Sequence, residues 1–302
     1  MKDPTKRTQR LIARVATSLC LIAGCAACLL ADALDWAPLG VLTLANVALI
    51  LGLIEFHRLA RACGAKPFAG LSLAGGLLVL NWPWLADAAV LSLNSRGRLM
   101  ELLLPLGAPG GGLLLLVVAV LVAHVLARGW SDTAFHDATA TLFGVVYLAL
   151  PLAAFSVLVW SPEEPTGIWR PVVLLVATAK AGDAAACGIG NLAGRHKLAP
   201  KTSPNKTIEG AIAGLAGSVL ICVALGSWLL RMRPMPLVVL GVIVGVFGQL
   251  GDLTESALKR SAGVKDSGSL LPGMGGVLDL LDSLLLSLPA GAFTIRLIEA
   301  LL

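Results

Sequence analysis

The sequence predicts an all-α, polytopic integral membrane protein of about nine transmembrane helices, with its N-terminus in the cytoplasm. Three observations carry that prediction. Hydrophobic residues make up 57% of the 302 and charged residues only 14%, against about 25% charged in a typical soluble domain. The apolar residues fall into runs long enough to cross the hydrocarbon core, which takes about 20 residues of helix. The Lys and Arg residues are distributed unequally between the segments that separate those runs. A disordered chain is excluded, because it needs low hydrophobicity and high charge. A soluble globule of this size has no way to hide so much apolar surface.

Nine spans are expected, at roughly 15–31, 37–55, 68–90, 110–127, 139–160, 171–190, 208–230, 236–253 and 277–301. Basic residues up to Arg14 precede the first, as in a signal peptide, and Ile22-Ala23-Gly24-Cys25 has the form of a lipoprotein cleavage site. The many apolar runs that follow make an uncleaved first span the expectation. The third span is interrupted by Asn81 and Pro83, so 84–94 reads as a re-entrant candidate. The sixth carries Lys180 and Asp183, and the ninth carries Asp279, Asp282 and Arg296. Glycines at 110–112 and 273–276 mark breaks. With no internal repeat and no soluble domain, the chain reads as one membrane domain. Residues 1–170 supply N-terminal helices, and 171–302 a C-terminal catalytic region with cytoplasmic loops.

With the N-terminus inside, 16 of the 23 Lys and Arg residues fall on the cytoplasmic side and five on the other, while Lys180 and Arg296 lie within spans. This asymmetry is the positive-inside pattern and gives the orientation. The expected location is a bacterial inner membrane, and no nucleic-acid partner is expected. The six cysteines lie in or beside apolar runs. Cys25 and Cys28 form a C-x-x-C with no second pair and no nearby His, so they read as small hydrophobes. The Gly- and Ala-rich spans permit close helix packing, within one chain or between two copies in a homodimer.

Two polar clusters can carry chemistry. The first runs from Lys180 to Gly210. Asp183 sits in an otherwise apolar helix, where a charge costs about 2.5–3.5 kcal/mol on insertion scales, so it faces either a cavity or an internal partner, Lys180 at i−3. The following loop packs four cations and His196 into about a dozen residues, and topology alone explains their sign. Ser203-Pro204-Asn205-Lys206-Thr207 reads as a turn presenting a hydroxyl, a lysine and free amides, a combination suited to phosphate oxygens.

The second cluster runs from Gly248 to Ser283 and holds Asp252, Glu255, Asp266, Asp279 and Asp282 with Lys259, Arg260 and Lys265. Asp252 closes the eighth span, and Asp279 and Asp282 open the ninth on one helix face. Either the charges pair among themselves in a solvated loop, or the carboxylates gather around a hard cation. Mg2+ prefers oxygen ligands, retained water and substrate phosphates, and the lysines and arginine would balance the phosphates. Carboxylates, cations and glycines together point to nucleotide or phosphate chemistry.

The spacing Ser256-x-x-Lys259-Arg260, Lys265-Asp266, Pro272-Gly273-x-Gly275-Gly276-x-x-Asp279-x-x-Asp282 resembles the signature of the CDP-diacylglycerol synthase (phosphatidate cytidylyltransferase) family. The upstream stretch, with Asp183, Gly190, Gly194, His196-Lys197-Leu198, Pro200 and Ser203-Pro204-x-Lys206-Thr207-x-Glu209-Gly210, is similar to the same family's preceding motif. The close resemblance covers about a third of the chain; the N-terminal half matches in span pattern and in Glu55-Phe56-x-Arg58-Leu59. It implies a nucleotidyltransferase of phospholipid biosynthesis that converts CTP and phosphatidate to CDP-diacylglycerol and diphosphate, with the active site facing the cytoplasm. It implies Mg2+, assisted by a monovalent cation such as K+. Asp252 and Asp279 would be the principal metal ligands with Asp282 beside them, and Lys259, Arg260, Lys265 and Asp266 would serve catalysis. Ser203, Lys206, Thr207, Asp183, Ser256, Gly275 and Gly276 would line the substrate site. Two positions depart from the family: Met274 stands where it usually has His, and Leu280 where it usually has Arg, which removes a cation beside the aspartates.

Three other readings remain open on the sequence: a related CTP-dependent enzyme acting on another lipid, a transporter using the intramembrane charges, and an inactive paralogue. CTP over another nucleotide rests on the resemblance alone.

Overall fold

The computed structural model describes residues 16–17, 23–28, 30, 39–93, 110–127, 133–159, 169–272 and 275–301. Of the first expected span only 16–17, 23–28 and 30 are included, and they are helical. The N-terminal cations, Arg96, Arg98, Arg128, Gly273 and Met274 lie outside the described residues.

Among the described residues, eight long helices and one hairpin follow in order: α1 Leu39–Ala62, α2 Ala69–Leu93, α3 Gly110–Ala127, α4 Ala134–Val159, α5 Trp169–Ala193, β1 Lys197–Ala199, β2 Ser203–Thr207, α6 Ile208–Leu229, α7 Pro234–Ser261 and α8 Val277–Leu301. Among the described residues, α1, α4, α5, α6, α7 and α8 are each long and apolar enough to cross a membrane. The core is a leucine seam shared between helices, with Leu53 of α1, Leu148 of α4, Leu240 of α7 and Leu285 of α8 almost completely buried. Large apolar side chains on the opposite faces, such as Leu126, Trp228 and Phe293, point outward, as helices in contact with lipid require. The C-terminal helices pack in chain order, α5 on α6, α6 on α7 and α7 on α8, and α8 also packs on α1 and α4. It therefore joins the two halves of the bundle.

Small residues allow the closest of these approaches. A Cβ on Gly182 of α5 would lie 2.3 Å from Ser218 Oγ of α6, and one on Gly241 of α7 would lie 2.7 Å from Val219 Cα. Helix ends are set by local signals. α1 and α7 stop in the same way, at Gly64 (φ +88°) and Gly263 (φ +69°). In each, two consecutive N–H groups turn back onto the last carbonyls, such as Ala65 to Ala60 and Val264 to Lys259, both at 3.0 Å. This is the glycine stop expected of a left-handed C′ residue.

Three expectations need correction. The fold is not purely α-helical, since β1 and β2 pair antiparallel with Lys197 opposite Thr207 and Ala199 opposite Ser203. Ser203 to Thr207 is accordingly a strand and not a turn; the turn precedes it, closed by Thr202 N–H donating to Ala199 C=O at 3.2 Å. Pro200 and Pro204 prevent helix here, and a two-stranded ribbon tolerates the missing donor of Pro204. α2 continues as helix through Asn81 and Pro83 to Leu93, so the expected interruption of the helix at these residues is absent. Asn81 has a partner: its amide and that of Asn46 on α1 donate to each other at 2.8 and 3.1 Å, satisfying both inside an apolar layer. Finally, α7 runs eight residues beyond the expected end of its span, to Ser261. Asp252 lies well inside it, because the helix continues through buried Glu255 and the paired Lys259.

Candidate active site

The hairpin and the α7–α8 loop meet at one end of the bundle, where Arg260 Nε donates to Thr202 C=O at 3.4 Å. α1 delivers its C-terminal end to the same place through Glu55. The expected motif residues assemble here around three lysine–aspartate pairs.

The first pair lies on a cavity of about 210 Å3 between α5, β2, α6 and α7, lined among others by Asp183, Asn191, Asn205, Lys206, Gln249 and Asp252. Lys206 Nζ of β2 lies 2.6 Å from Asp252 Oδ2 of α7, with about a quarter of the lysine and a third of the aspartate side chain exposed. Ser256, one turn on, donates to Asp252 Oδ1 at 3.4 Å. Thr207 also borders the cavity, but its hydroxyl caps α6 by accepting the Gly210 N–H at 3.1 Å. Glu209 in the same first turn accepts the Arg195 and His196 N–H groups and lies 2.6 Å from His196 Nδ1. Together these anchor the hairpin that carries Lys206.

The second pair is Lys259 with Asp279, 2.5 Å apart and nearly buried; Lys259 also pairs with Glu255 one turn earlier. Asp279 is the third residue of α8, and its Oδ2 accepts the Gly276 N–H at 2.7 Å, so it reaches back to the helix start as the distal half of a capping box does. The same oxygen accepts the Ser267 N–H at 3.0 Å and faces Ser267 Oγ at 2.9 Å. Gly275, at φ +105°, lets the loop wrap this carboxylate, because a Cβ there would sit 2.5 Å from Asp279 Oδ2.

Glu55 completes this corner. It is 2% exposed and accepts the N–H groups of Val277 and Leu278 at 3.0 and 2.8 Å and the Ser267 hydroxyl at 3.0 Å. A carboxylate from α1 thus fills the electropositive start of α8 and satisfies donors that a helix N-terminus otherwise leaves free. Gly276 makes room for it: a Cβ there would lie 2.3 Å from Glu55 Oε2.

The third group joins α5 to α8. Lys180 Nζ lies 3.3 Å from Asp183 Oδ2 and 3.6 Å from Asp282 Oδ1. It donates to Leu280 C=O at 2.8 Å and to Ser283 Oγ at 2.9 Å, and Ser283 Oγ donates to Asp183 Oδ2 at 2.7 Å. The local Lys180–Asp183 pairing is therefore present, within a wider set of contacts. Leu280 brings no cation to the aspartates, and the ammonium beside Asp282 comes from α5 instead. Gly251 sets the α7–α8 spacing here, since a Cβ on it would lie 2.4 Å from the Asp282 carbonyl.

Other expected site residues stand further out. Lys265 and Asp266 are exposed on the α7–α8 loop, and Arg260 is exposed and braces that loop by donating to Val264 C=O at 3.0 Å. Ser203 begins β2 and does not line the cavity. Sequence reasoning missed the parts played by Glu55, Ser267, Ser283 and Gln249, whose Nε2 donates to Ala211 C=O at 2.8 Å. For Glu55, Ser283 and Gln249 the available signal was a polar or acidic residue inside an apolar helix, which is retained only where it has partners; Ser267 lies in the α7–α8 loop and carried no such signal.

This architecture defines a class: an integral membrane protein of packed helices that brings lysines and aspartates from separate elements together as ion pairs, one of which, Lys206–Asp252, borders a cavity. The chain belongs to the cytidylyltransferase family, whose model matches residues 12–298. It is similar to the phosphatidate cytidylyltransferase of Synechocystis sp., 34% identical over 255 residues that cover 81% of this chain and 85% of the relative. That of Brucella suis is 34% identical over 244 residues, covering 80% and 79%. That of Staphylococcus epidermidis is 37% identical over 179 residues, covering 59% and 66%.

Proposed function

We propose that this protein is a phosphatidate cytidylyltransferase that converts CTP and phosphatidate to CDP-diacylglycerol and diphosphate. The observation that carries this reading is the assembly of Lys206–Asp252, Lys259–Asp279 and Lys180–Asp282 at one end of an apolar bundle. One substrate is a lipid and the other is water-soluble, so the site has to lie at a membrane interface. The charge asymmetry of the segments between spans supports nine spans, a cytoplasmic N-terminus and a site facing the cytoplasm, and the bacterial relatives support a bacterial inner membrane.

The donor set suits Mg2+ in kind. The carboxylates supply only oxygen, and Asp252 keeps a third of its side chain exposed beside the cavity. Among the described residues no three His, Cys, Asp or Glu side chains converge as a metal site; Mg2+ commonly takes one or two carboxylates, with water and substrate phosphates completing the shell. Asp252, Asp279 and Asp282 would hold it, and bound there it would neutralise phosphate charge and polarise the CTP α-phosphorus.

The lysines do the complementary work. Lys206 and Lys259 are each balanced by a carboxylate in the ligand-free arrangement, and each exchanges that partner for a phosphate oxygen when nucleotide and lipid arrive. Lys206 and Lys259 hold the phosphates of CTP, with Arg260 and Lys265 at the rim. The lipid phosphate is anionic at neutral pH and needs no strong base. One of its oxygens attacks the α-phosphorus in line, a new P–O bond forms, the bond to the bridging oxygen breaks, and diphosphate leaves with that electron pair. Catalysis consists of positioning and charge balance.

The acceptor lipid decides between this reading and a CTP-dependent enzyme acting on another lipid. Membranes containing the protein, supplied with labelled CTP, should transfer label to phosphatidate and leave a prenyl alcohol unlabelled. Label on the prenyl alcohol alone would overturn the assignment.

A further inference from the structure

We propose that the Lys180 ammonium is this site's built-in monovalent cation, filling an oxygen cage that would otherwise take a free potassium-sized ion. The cage has four oxygens of three kinds: the Leu280 carbonyl at 2.8 Å, the Ser283 hydroxyl at 2.9 Å, and the carboxylates of Asp183 at 3.3 Å and Asp282 at 3.6 Å. An ammonium has three N–H donors and no acceptor. Here the three go to the carbonyl, the hydroxyl and Asp183, while Asp282 is held by charge. Ser283 is fully buried and donates its own proton to Asp183, which turns its lone pairs toward Nζ.

A lysine serving only to neutralise Asp183 would need nothing beyond its local contact three residues on. Lys180 also reaches a main-chain carbonyl and a buried hydroxyl on α8, a hundred residues away in sequence. Carbonyl, hydroxyl and carboxylate oxygens are the ligands that hard cations take from proteins. A tethered ammonium provides the charge without recruiting an ion from solution. It balances Asp282 together with Asp183, and Asp183 lines the cavity beside Asp252. Lys180 is a positioning residue in this account. Its side chain and that of Asp183 are each 34% exposed, so a free ion has a route to the cage once the ammonium is removed.

The inference rests on the proposed reaction only where turnover is read, so the experiment has two readouts. Purified full-length protein in detergent is compared with Lys180→Met in choline chloride and in potassium chloride, each at about 0.1 M. The first readout is the thermal unfolding midpoint without substrates. The wild type should unfold at the same temperature in both salts, and Lys180→Met should unfold at a lower temperature in choline and recover in potassium. The second is CDP-diacylglycerol formation with Mg2+. The wild type should be equally active in both salts, whereas Lys180→Met should lose at least about tenfold in choline and regain most of it in potassium. A variant whose midpoint ignores potassium overturns the cage, as does a wild type that itself requires potassium. A potassium-responsive midpoint with salt-independent turnover overturns the link to catalysis. If the wild type makes no product in either salt, the proposed reaction fails while the midpoint still decides the cage. Should Lys180→Met fail to fold, Lys180→Gln, which keeps a polar tip, serves the same comparison.

Discussion

Asp252→Asn lowers CDP-diacylglycerol formation by roughly two to three orders of magnitude while the protein still folds and inserts. Both halves of that result follow from where the side chain sits. Asp252 borders the cavity, is 31% exposed, and pairs with a lysine that is itself 23% exposed. Partly exposed ion pairs contribute about 1 kcal/mol or less. Asparagine has the same shape and can keep the contact to Ser256, so helix packing is undisturbed. What disappears is the negative charge that balances Lys206 and that, in the proposed reaction, would attract a divalent cation. The check is turnover with saturating CTP and phosphatidate, set against the thermal unfolding midpoint in the same detergent. An asparagine variant turning over at close to the wild-type rate would remove Asp252 from the metal site.

Glu55→Ala acts on the fold and the site together. Its carboxylate accepts from Val277 N–H, Leu278 N–H and the Ser267 hydroxyl, in surroundings that leave it 2% exposed. Truncation strands two backbone donors at the start of α8 and removes the negative charge that offsets the helix dipole there. Each buried group left without a partner costs about 1–3 kcal/mol, so a total loss of about 3–5 kcal/mol is expected. Ser267, which also holds Asp279, loses one of its two anchors, so turnover falls with stability. Glu55→Gln retains one acceptor oxygen but turns an NH2 toward the same donors, and is expected to fall between alanine and wild type. The measurement is the unfolding midpoint of all three proteins. Equal midpoints for Glu55→Ala and wild type would show that α8 does not depend on α1 for its cap.

Most of the helical framework was legible because a membrane span is written in about 20 consecutive residues. The boundaries expected at 110–127, 208–230 and 277–301 match the helices α3, α6 and α8 to within a residue at either end, and α6 and α8 are long and apolar enough to cross a membrane. Errors arose where polar residues have distant partners. Asn81 looks like an interruption until Asn46, 35 residues earlier, is seen to pair with it. The hairpin was hidden because Pro204 argues against a strand interior and strand pairing is a non-local property. Within the site, Lys180–Asp183 could be read at helical spacing, but the contacts to Leu280 and Ser283 could not. Glu55 stood in a recognisable sequence match, yet its role as cap depends on residues more than 220 positions later. The motif named the charged residues, while their pairing came only from the packing of the hairpin, α5, α7 and α8.

The most direct test of the account is the reaction itself. Purified full-length protein in detergent micelles, given CTP labelled at the α-phosphate and phosphatidate, should form labelled CDP-diacylglycerol and diphosphate in equal amounts when Mg2+ is present. Chelating the metal should stop it. A correctly folded preparation that forms no CDP-diacylglycerol with Mg2+ supplied would contradict the account.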